Sequence, residues 1–408
     1  MEVNMRHLEV QYRSLYVGML INFIIFGITL TIIGATLPKI IRDFEWSYTA
    51  TGAVIAAGSI GYFVSTFVSG ILLHTLNPKQ VMFGGLLVQS LGLLFFASKP
   101  VILLNFFLNM LIGLGQGCTE VVVNYSVVRI EREGESRLMS LMHAAFAVGA
   151  VIGPFAVGRI IESGLSWQMI YRFMSAISLI MAVVFLTLPF SRIKKEEEDK
   201  DNSDPEKPGI IQLLKHPLLI FSFLILFIYV GTEMGTSAWV AEYYVKILGE
   251  SASLGAYMVS VFWIGLLIGR LAFSGYNGTR QAEMMLLLSI ICTVSLAIAI
   301  MLKNSWIAGL GFGFAGLGFS AIYPLVISVV GKYFKKVQGP AIGFTATGGG
   351  VGSFAFPFIM ATISDHFGLR HGFVFYIALD VVMAILAGAV IWQVHKLEKT
   401  SKAKLNGG

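Results

Sequence analysis

The sequence predicts an all-α membrane protein with twelve transmembrane helices in two pseudo-symmetric six-helix halves. Three observations carry this. The 408-residue chain is 56% hydrophobic and 13% charged, about half the charged content of a water-soluble domain. Twelve apolar runs reach the roughly 20 residues that a bilayer-crossing helix needs. One long polar segment divides the twelve runs six and six.

The runs lie at 15–38, 48–73, 79–98, 101–128, 138–163, 166–189, 217–247, 252–273, 282–302, 305–330, 338–364 and 371–394. The first is too long for a signal-peptide core and has no small-residue cleavage site after it, so it reads as span 1. The polar segment 190–216 holds Lys194, Lys195, Glu196, Glu197, Glu198 and Asp199, then Pro205 and Pro208. It cannot bury apolar area and reads as a linker. The domains expected are therefore a first half, 1–189; a cytoplasmic linker, 190–216; a second half, 217–394; and a cytoplasmic tail, 395–408.

The net charge of +6 does not point to nucleic acid, because the basic residues sit in short loops between apolar runs. Most of the 29 Lys and Arg fall at the N-terminus, in the 2–3, 4–5, 8–9 and 10–11 loops, in the linker and at the C-terminus. That excess marks the cytoplasmic side, so both termini are expected inside the cell and the chain in the plasma membrane. The two cysteines, Cys118 and Cys292, lie inside apolar runs and can build neither a disulfide framework nor a metal cluster.

The halves echo each other. Gly115-Gln116-Gly117 in span 4 is matched by Gly316-Leu317-Gly318 in span 10, and Pro154 in span 5 by Pro357 in span 11. A six-helix unit repeated in parallel orientation is a transporter architecture with its site near the midplane. There is no Gly-x-x-x-x-Gly-Lys-Ser/Thr loop, so an ion gradient and not ATP is the expected driving force; no cofactor, no metal and no enzymatic activity are expected.

Ionisable residues deep in a span cost about 2.5–3.5 kcal/mol each on insertion scales and tend to face the bundle interior. Glu120, His143, Glu233 and Asp380 are the candidates. Gln116, Glu120 and Asn124 are spaced four apart and form one stripe on span 4. Two carboxamides and a carboxylate in a row offer donors and acceptors at fixed positions, suited to sugar hydroxyls, and the carboxylate could carry a proton. The alternative is a stripe hydrogen-bonded to a neighbouring helix. In span 7, Tyr229, Glu233 and Thr236 share a face; Gly231 and Gly235 weaken the helix there, and Trp239 offers a ring to a sugar's C–H face or, alternatively, sits in an interfacial belt. His143 reads as an interfacial histidine with its partners supplied, Asp380 as a packed structural group. Gly149, Gly153-Pro154 and Gly158 in span 5, Tyr323-Pro324 in span 10, and Gly343, Gly348–Gly350, Gly352 and Pro357 in span 11 mark helices that bend or that let another helix approach. Gly153 and Pro154 are gating candidates, and Tyr323 a substrate contact.

On these grounds the chain resembles the major facilitator superfamily over essentially its full length. The superfamily's loop signature after span 2 is Gly-x-Leu-x-Asp-Arg-x-Gly-Arg-Lys. Here it reads Gly70-Ile71-Leu72-Leu73-His74-Thr75-Leu76-Asn77-Pro78-Lys79, with His74 in place of the aspartate. The second-half counterpart, Gly269-Arg270-Leu271, keeps a glycine and an arginine, so Arg270 is expected at a gate. Within the superfamily the chain is similar to the fucose–proton symporter group, which includes bacterial glucose/mannose permeases. Gly117-Cys118-Thr119-Glu120 with Asn124, Tyr229-Val230-Gly231-Thr232-Glu233, and Phe262-Trp263-Ile264-Gly265 followed by Gly269-Arg270 carry this likeness. It implies uptake of a hexose-like small molecule with a proton by alternating access, in a monomer. Gln116, Asn124, Tyr229, Glu233, Trp239 and Tyr323 are then substrate contacts, and Glu120 and Glu233 proton carriers. The group's span 1 aspartate is absent; Gly34 stands there, so either Glu233 takes that role or the coupling differs. Gly149-Ala150-Val151-Ile152-Gly153-Pro154 is similar to part of a multidrug antiporter signature and supports the alternative, proton-driven efflux.

Overall fold

The structure is a computed structural model, and it describes residues 10–131, 137–190, 216–273 and 280–406. Almost all of the linker, 191–215, and the 8–9 loop from residue 274 lie outside the described residues. Spans 1–6 are the helices Arg13–Phe44, Tyr48–Thr75, Pro78–Phe95, Ile102–Ile130, Arg137–Glu162 and Met169–Thr187. Spans 7–9 are Pro217–Lys246, Ala252–Phe273 and Gln281–Met301. Span 10 is two helices, Ser305–Phe319 and Ile322–Tyr333; spans 11 and 12 are Gln338–Phe367 and Leu369–Asn406.

Among the described residues eleven helices are long and apolar enough to cross a membrane. The exception is span 3. It has 18 residues, about 27 Å at 1.5 Å per residue, and Pro78, Lys79, Gln80 and Gln89 dilute its apolar character.

Local chemistry sets the ends. The Ser47 hydroxyl accepts from the Ala50 amide at 3.1 Å and starts span 2, as an N-cap does. Asn77 and Gln80 form a capping box at the start of span 3. The Asn304 side-chain oxygen Oδ1 accepts from the amides of Trp306 and Ile307 at 3.0 and 3.1 Å. Span 1 ends at Glu45, whose φ of 53° is left-handed.

The prolines and glycines do not act alike. Pro38, Pro154 and Pro357 lie inside unbroken helices. Span 7 also runs unbroken past Gly231 and Gly235, contrary to the weakening expected there. A Cβ on Gly231 would lie 2.3 Å from the Phe356 ring, and one on Gly235 1.9 Å from the Tyr376 hydroxyl. These glycines allow close packing against spans 11 and 12, as small residues do in membrane bundles. The break falls in span 10, where the chain leaves one helix at Phe319 and begins the next at Ile322. Pro324 has no N–H to offer the Ser320 carbonyl one turn earlier.

The helices group into two compact units. One is Met1–Lys200 with Ala238–Ser260; the other is Asp201–Ser237 with Val261–Gly408. In the first, span 2 packs on span 4, span 1 on span 5, and span 3 on spans 4 and 6. In the second, span 9 packs on spans 10 and 12, and span 11 on span 12. Thus the 3–4–6 cluster recurs as 9–10–12, the structural counterpart of the sequence repeat. The matched glycines exchange roles, however. Gly117 faces span 2 and Gly115 span 3, whereas Gly316 faces span 8 and Gly318 span 9. The two motifs are therefore offset in register.

Large apolar side chains cover the outside, among them Ile71, Phe173, Leu310 and Ile385. Polar groups turn inward and are bonded between helices. The Ser90 and Ser175 hydroxyls each donate to the other's carbonyl, at 3.0 and 2.8 Å, which joins spans 3 and 6.

Spans 2 and 4 meet backbone to backbone. A Cβ on Gly113 would stand 1.9 Å from the Gly58 carbonyl oxygen, and one on Gly117 2.5 Å from that of Tyr62. Gly113→Val should therefore force the two spans apart and destabilise the fold by about 1–3 kcal/mol, the range for overpacking. Gly343→Ala, where nothing lies within 4 Å, should be near neutral. Thermal unfolding of the two purified variants checks this, and equal losses would refute it.

Candidate functional site

The span 4 stripe faces spans 1 and 2. The Tyr62 hydroxyl donates to Glu120 Oε2, and the Asn124 carboxamide hydrogen-bonds the same carboxylate. Gln116 is buried, and its amide donates to the Thr29 hydroxyl at 3.1 Å. Thr29 in turn donates to the Phe26 carbonyl at 3.0 Å. The Phe26 ring stacks on Tyr62, with centroids 6.3 Å apart. The glycine contacts of spans 2 and 4 let Tyr62 reach Glu120: they bring the two backbones so close that a phenol spans the gap.

Buried in this unit without a hydrogen-bond partner are Asn22 Nδ2 and Asn124 Oδ1, and also Trp239 Nε1. Asn22, Phe26 and Thr29 share one face of span 1, spaced i, i+4, i+7. Asn22 lies seven residues from Thr29, and Asn124 eight from Gln116. At 1.5 Å per residue these are rises of about 10 and 12 Å, so on antiparallel helices both amides fall at a similar level. The candidate site in this unit is thus the polar cluster of Asn22, Thr29, Tyr62, Gln116, Glu120 and Asn124. The partners identified at the Glu120 carboxylate, Tyr62 and Asn124, are both neutral.

Trp239 is in the same unit, fully buried, with its ring set edgewise on Tyr48 at 5.4 Å between centroids. Its indole Nε1 has no hydrogen-bond partner. Three residues further on, Glu242 accepts from the Tyr48 hydroxyl at 2.9 Å. Gly153 packs on span 1: a Cβ there would lie 2.9 Å from the Thr31 hydroxyl and 3.0 Å from the backbone of Ile28. Gly149 is closer still, 2.0 Å from the Ile24 carbonyl oxygen. The glycine run of span 5 is thus a packing face for span 1, and Pro154 is buried within it. His143 sets its ring edgewise on Phe23, with centroids 6.2 Å apart.

The second unit has its own polar cluster. Glu233 and Tyr229 are buried to 2% and 3% exposure. The Tyr229 phenol hydrogen-bonds both the Glu233 carboxylate and the Arg270 guanidinium. Arg270 also acts electrostatically on Glu233, whose Oε2 has no hydrogen-bond partner. Arg270, expected at a gate, therefore stands against the span 7 carboxylate. Tyr323 is 38% exposed, with its ring 6.5 Å from that of Tyr229. The counter-charges differ between the units: Glu233 has a cation facing it, whereas Glu120 is held by neutral groups.

Tyr62, Asn22, Thr29 and the Arg270–Glu233 relation were not legible as site features. None of them belongs to a row spaced four apart like that of span 4. The signal available was Asn22–Thr29 at i, i+7 on span 1, and Tyr62 next to Gly58 and Gly61 on span 2.

Known proteins share this architecture. Residues 19–315 and 280–406 match the Major Facilitator Superfamily. Among curated relatives, "Bypass of stop codon protein 6" of Saccharomyces cerevisiae is 24% identical over 87% of this chain and 78% of its own length. A "Putative glucose/galactose transporter" of Helicobacter pylori is 22% identical over 84% of this chain and 87% of its own. "Multidrug resistance protein 2" of Bacillus subtilis is 23% identical over 97% and 98%. Among solved structures, the nucleoside transporter NupG superposes with a TM-score of 0.76 at 14% identity, covering 94% of this chain and 99% of that one. A D-xylose–proton symporter gives 0.71 at 14% identity, covering 92% and 97%. These structural likenesses concern the fold. The chain is a helical, multi-pass membrane transporter and not an enzyme, and it belongs to the Major Facilitator Superfamily.

Proposed function

We propose that this secondary transporter takes up a hexose-like sugar together with a proton by alternating access, as a monomer in the plasma membrane with both termini in the cytoplasm. The observation that carries the reading is the Glu120 site. A carboxylate held by a phenol and a carboxamide, beside the unpartnered Asn22 Nδ2 and Asn124 Oδ1, offers a sugar both donors and acceptors, and the partners found at the carboxylate among the described residues are neutral. Neutral polyhydroxylated substrates need such mixed donor and acceptor surfaces. The relative named as a glucose/galactose transporter and the fold shared with a xylose–proton symporter favour the same class.

In this reading Glu120 carries the proton, and Asn22, Gln116 and Asn124 hold substrate hydroxyls. Glu233 and Tyr229 form the corresponding surface of the second unit, with Tyr323 beside them and Arg270 balancing the Glu233 charge. Trp239 acts through its packing on Tyr48. Gly153 and Pro154 shape the span 1–span 5 contact along which these helices move.

The second reading is proton-driven efflux, favoured by the relative named as a multidrug resistance protein and by the Gly149–Pro154 motif. The close approach of Gly149 and Gly153 to span 1 accounts for that motif by packing.

Proteoliposomes test the two readings. With an inward proton gradient and a panel of radiolabelled hexoses, the proposal expects accumulation of at least one sugar, abolished by an uncoupler and inhibited by unlabelled competitor. Extrusion of a lipophilic cationic dye under an opposed gradient, with no sugar accumulated, would favour efflux and overturn the proposal.

A further inference from the structure

Asp380 lies in mid-span 12, where its side chain is fully buried, and neither carboxylate oxygen has a hydrogen-bond partner. Asp380 is a carboxylate with both oxygens orphaned, where Glu233 has one, so it needs an explanation. Three helices bring groups to it. From span 7 the Thr232 hydroxyl interacts with it, short of a full hydrogen bond, and shares its proton with the carbonyls of Ile228 and Tyr229 at 3.0 and 3.2 Å. From span 9 comes the Cys292 thiol, and from span 12 itself the Tyr376 phenol, one turn away on the same face. The thiol contacts the Ser289 carbonyl at 3.1 Å, and the phenol the Phe356 carbonyl at 3.4 Å. Among the described residues these two are the ionisable groups found to interact with Asp380, and neither is a cation.

A carboxylate buried as a bare anion without a counter-charge is strongly unfavourable. We infer that Asp380, with the Thr232 oxygen and the groups of Cys292 and Tyr376, forms a site for one monovalent cation, a proton or Na+. A divalent ion would call for more carboxylates and oxygens than these four residues supply. The site is separate from Glu120 and Glu233, and span 7 connects it to the latter. Thr232 and Glu233 are adjacent on that helix, about 100° apart around its axis. Tyr376 presses on Gly235, so closely that a Cβ there would lie 1.9 Å from the hydroxyl. Loading or unloading this carboxylate therefore acts on the back of the helix that presents Tyr229 and Glu233 on its other face. This goes beyond the sugar reading, and its test uses no substrate, so the two can fail separately.

The experiment is thermal unfolding of the purified full chain in nanodiscs, in sodium or choline chloride, at about pH 6 and about pH 8.5. A ligand that binds the folded state raises Tm. If sodium is the ligand, the wild-type Tm at the higher pH rises by a few degrees when sodium replaces choline. If a proton is the ligand, Tm rises on acidification in choline and sodium adds nothing. In either case Asp380→Asn, a neutral isostere, should lose at least half of the response. Identical responses of the two proteins would overturn the inference.

A second measurement needs no folded variant and uses the wild-type chain: reaction with a hydrophobic carbodiimide, with the modified peptide identified by mass spectrometry. Asp380 should be labelled several-fold more slowly when sodium replaces choline, or several-fold faster at the lower pH. Labelling that is absent, or indifferent to both, would count against the site.

Discussion

Vesicles bearing Glu120→Gln should lose uphill accumulation and keep exchange of pre-loaded substrate. The glutamine preserves shape and still accepts from Tyr62, so the substrate surface survives, but it cannot take up and release a proton. A gradient of one pH unit is about 1.4 kcal/mol per proton, a tenfold accumulation for one-to-one coupling. The wild type should approach that ratio, and the variant should fall to about one. Counterflow of radiolabelled sugar checks the second half: exchange rates within a few-fold of wild type are expected. A Glu120→Gln protein that still concentrates sugar when only a pH gradient is applied would remove Glu120 from the coupling. Tyr62→Phe should give a milder effect, because the carboxylate loses one donor and keeps Asn124.

Removing the cation beside Glu233 should have the other large effect. Arg270→Gln leaves a carboxylate that is 2% exposed with the Tyr229 phenol alone. Breaking a fully buried pair costs about 3–5 kcal/mol; Arg270 is half-buried, so the expected loss is smaller, about 1–3 kcal/mol. Glu233→Gln alone leaves an arginine that still reaches Tyr229 and water. The double variant should recover stability relative to Arg270→Gln, with a coupling energy inside the 0.5–3 kcal/mol range of interacting pairs. The check is a double-mutant cycle on Tm, with sugar uptake measured alongside. Strict additivity would mean that the two charges do not act on each other.

The fold was legible because bilayer thickness imposes a length on apolar runs, and the sequence meets it at nearly every span. Span 3 shows the limit: Pro78 and the two polar residues Lys79 and Gln80 in its first turn, with Gln89 further along, dilute its apolar character, and its place rests on packing against spans 4 and 6. Glycine was the harder letter to read. The same residue can loosen a helix or admit a neighbour, and only the neighbour decides. Gly231 and Gly235 invited the first reading, and the Phe356 and Tyr376 side chains establish the second. The site was half legible. The Gln116–Glu120–Asn124 row announces itself by its spacing, but its partners are 58 and 87 residues away, Tyr62 from Glu120 and Thr29 from Gln116. No periodicity along one helix encodes a meeting between two. Asp380 was visible as a buried charge, and its lack of hydrogen-bond partners emerged only once three helices surrounded it.

The division of span 10 bears on how the protein meets membranes of different thickness. Its two rods, Ser305–Phe319 and Ile322–Tyr333, are about 22 and 18 Å long, together longer than a hydrocarbon layer of about 30 Å. A single straight rod of that length answers hydrophobic mismatch by tilting as a whole, which would drag its packed neighbours with it. Two rods joined at Ser320–Ala321 can change their mutual angle instead. Lipid of shorter or longer acyl chain should then be accommodated at that joint, and amide hydrogen exchange near it should vary with lipid length while exchange in the unbroken span 9 stays constant.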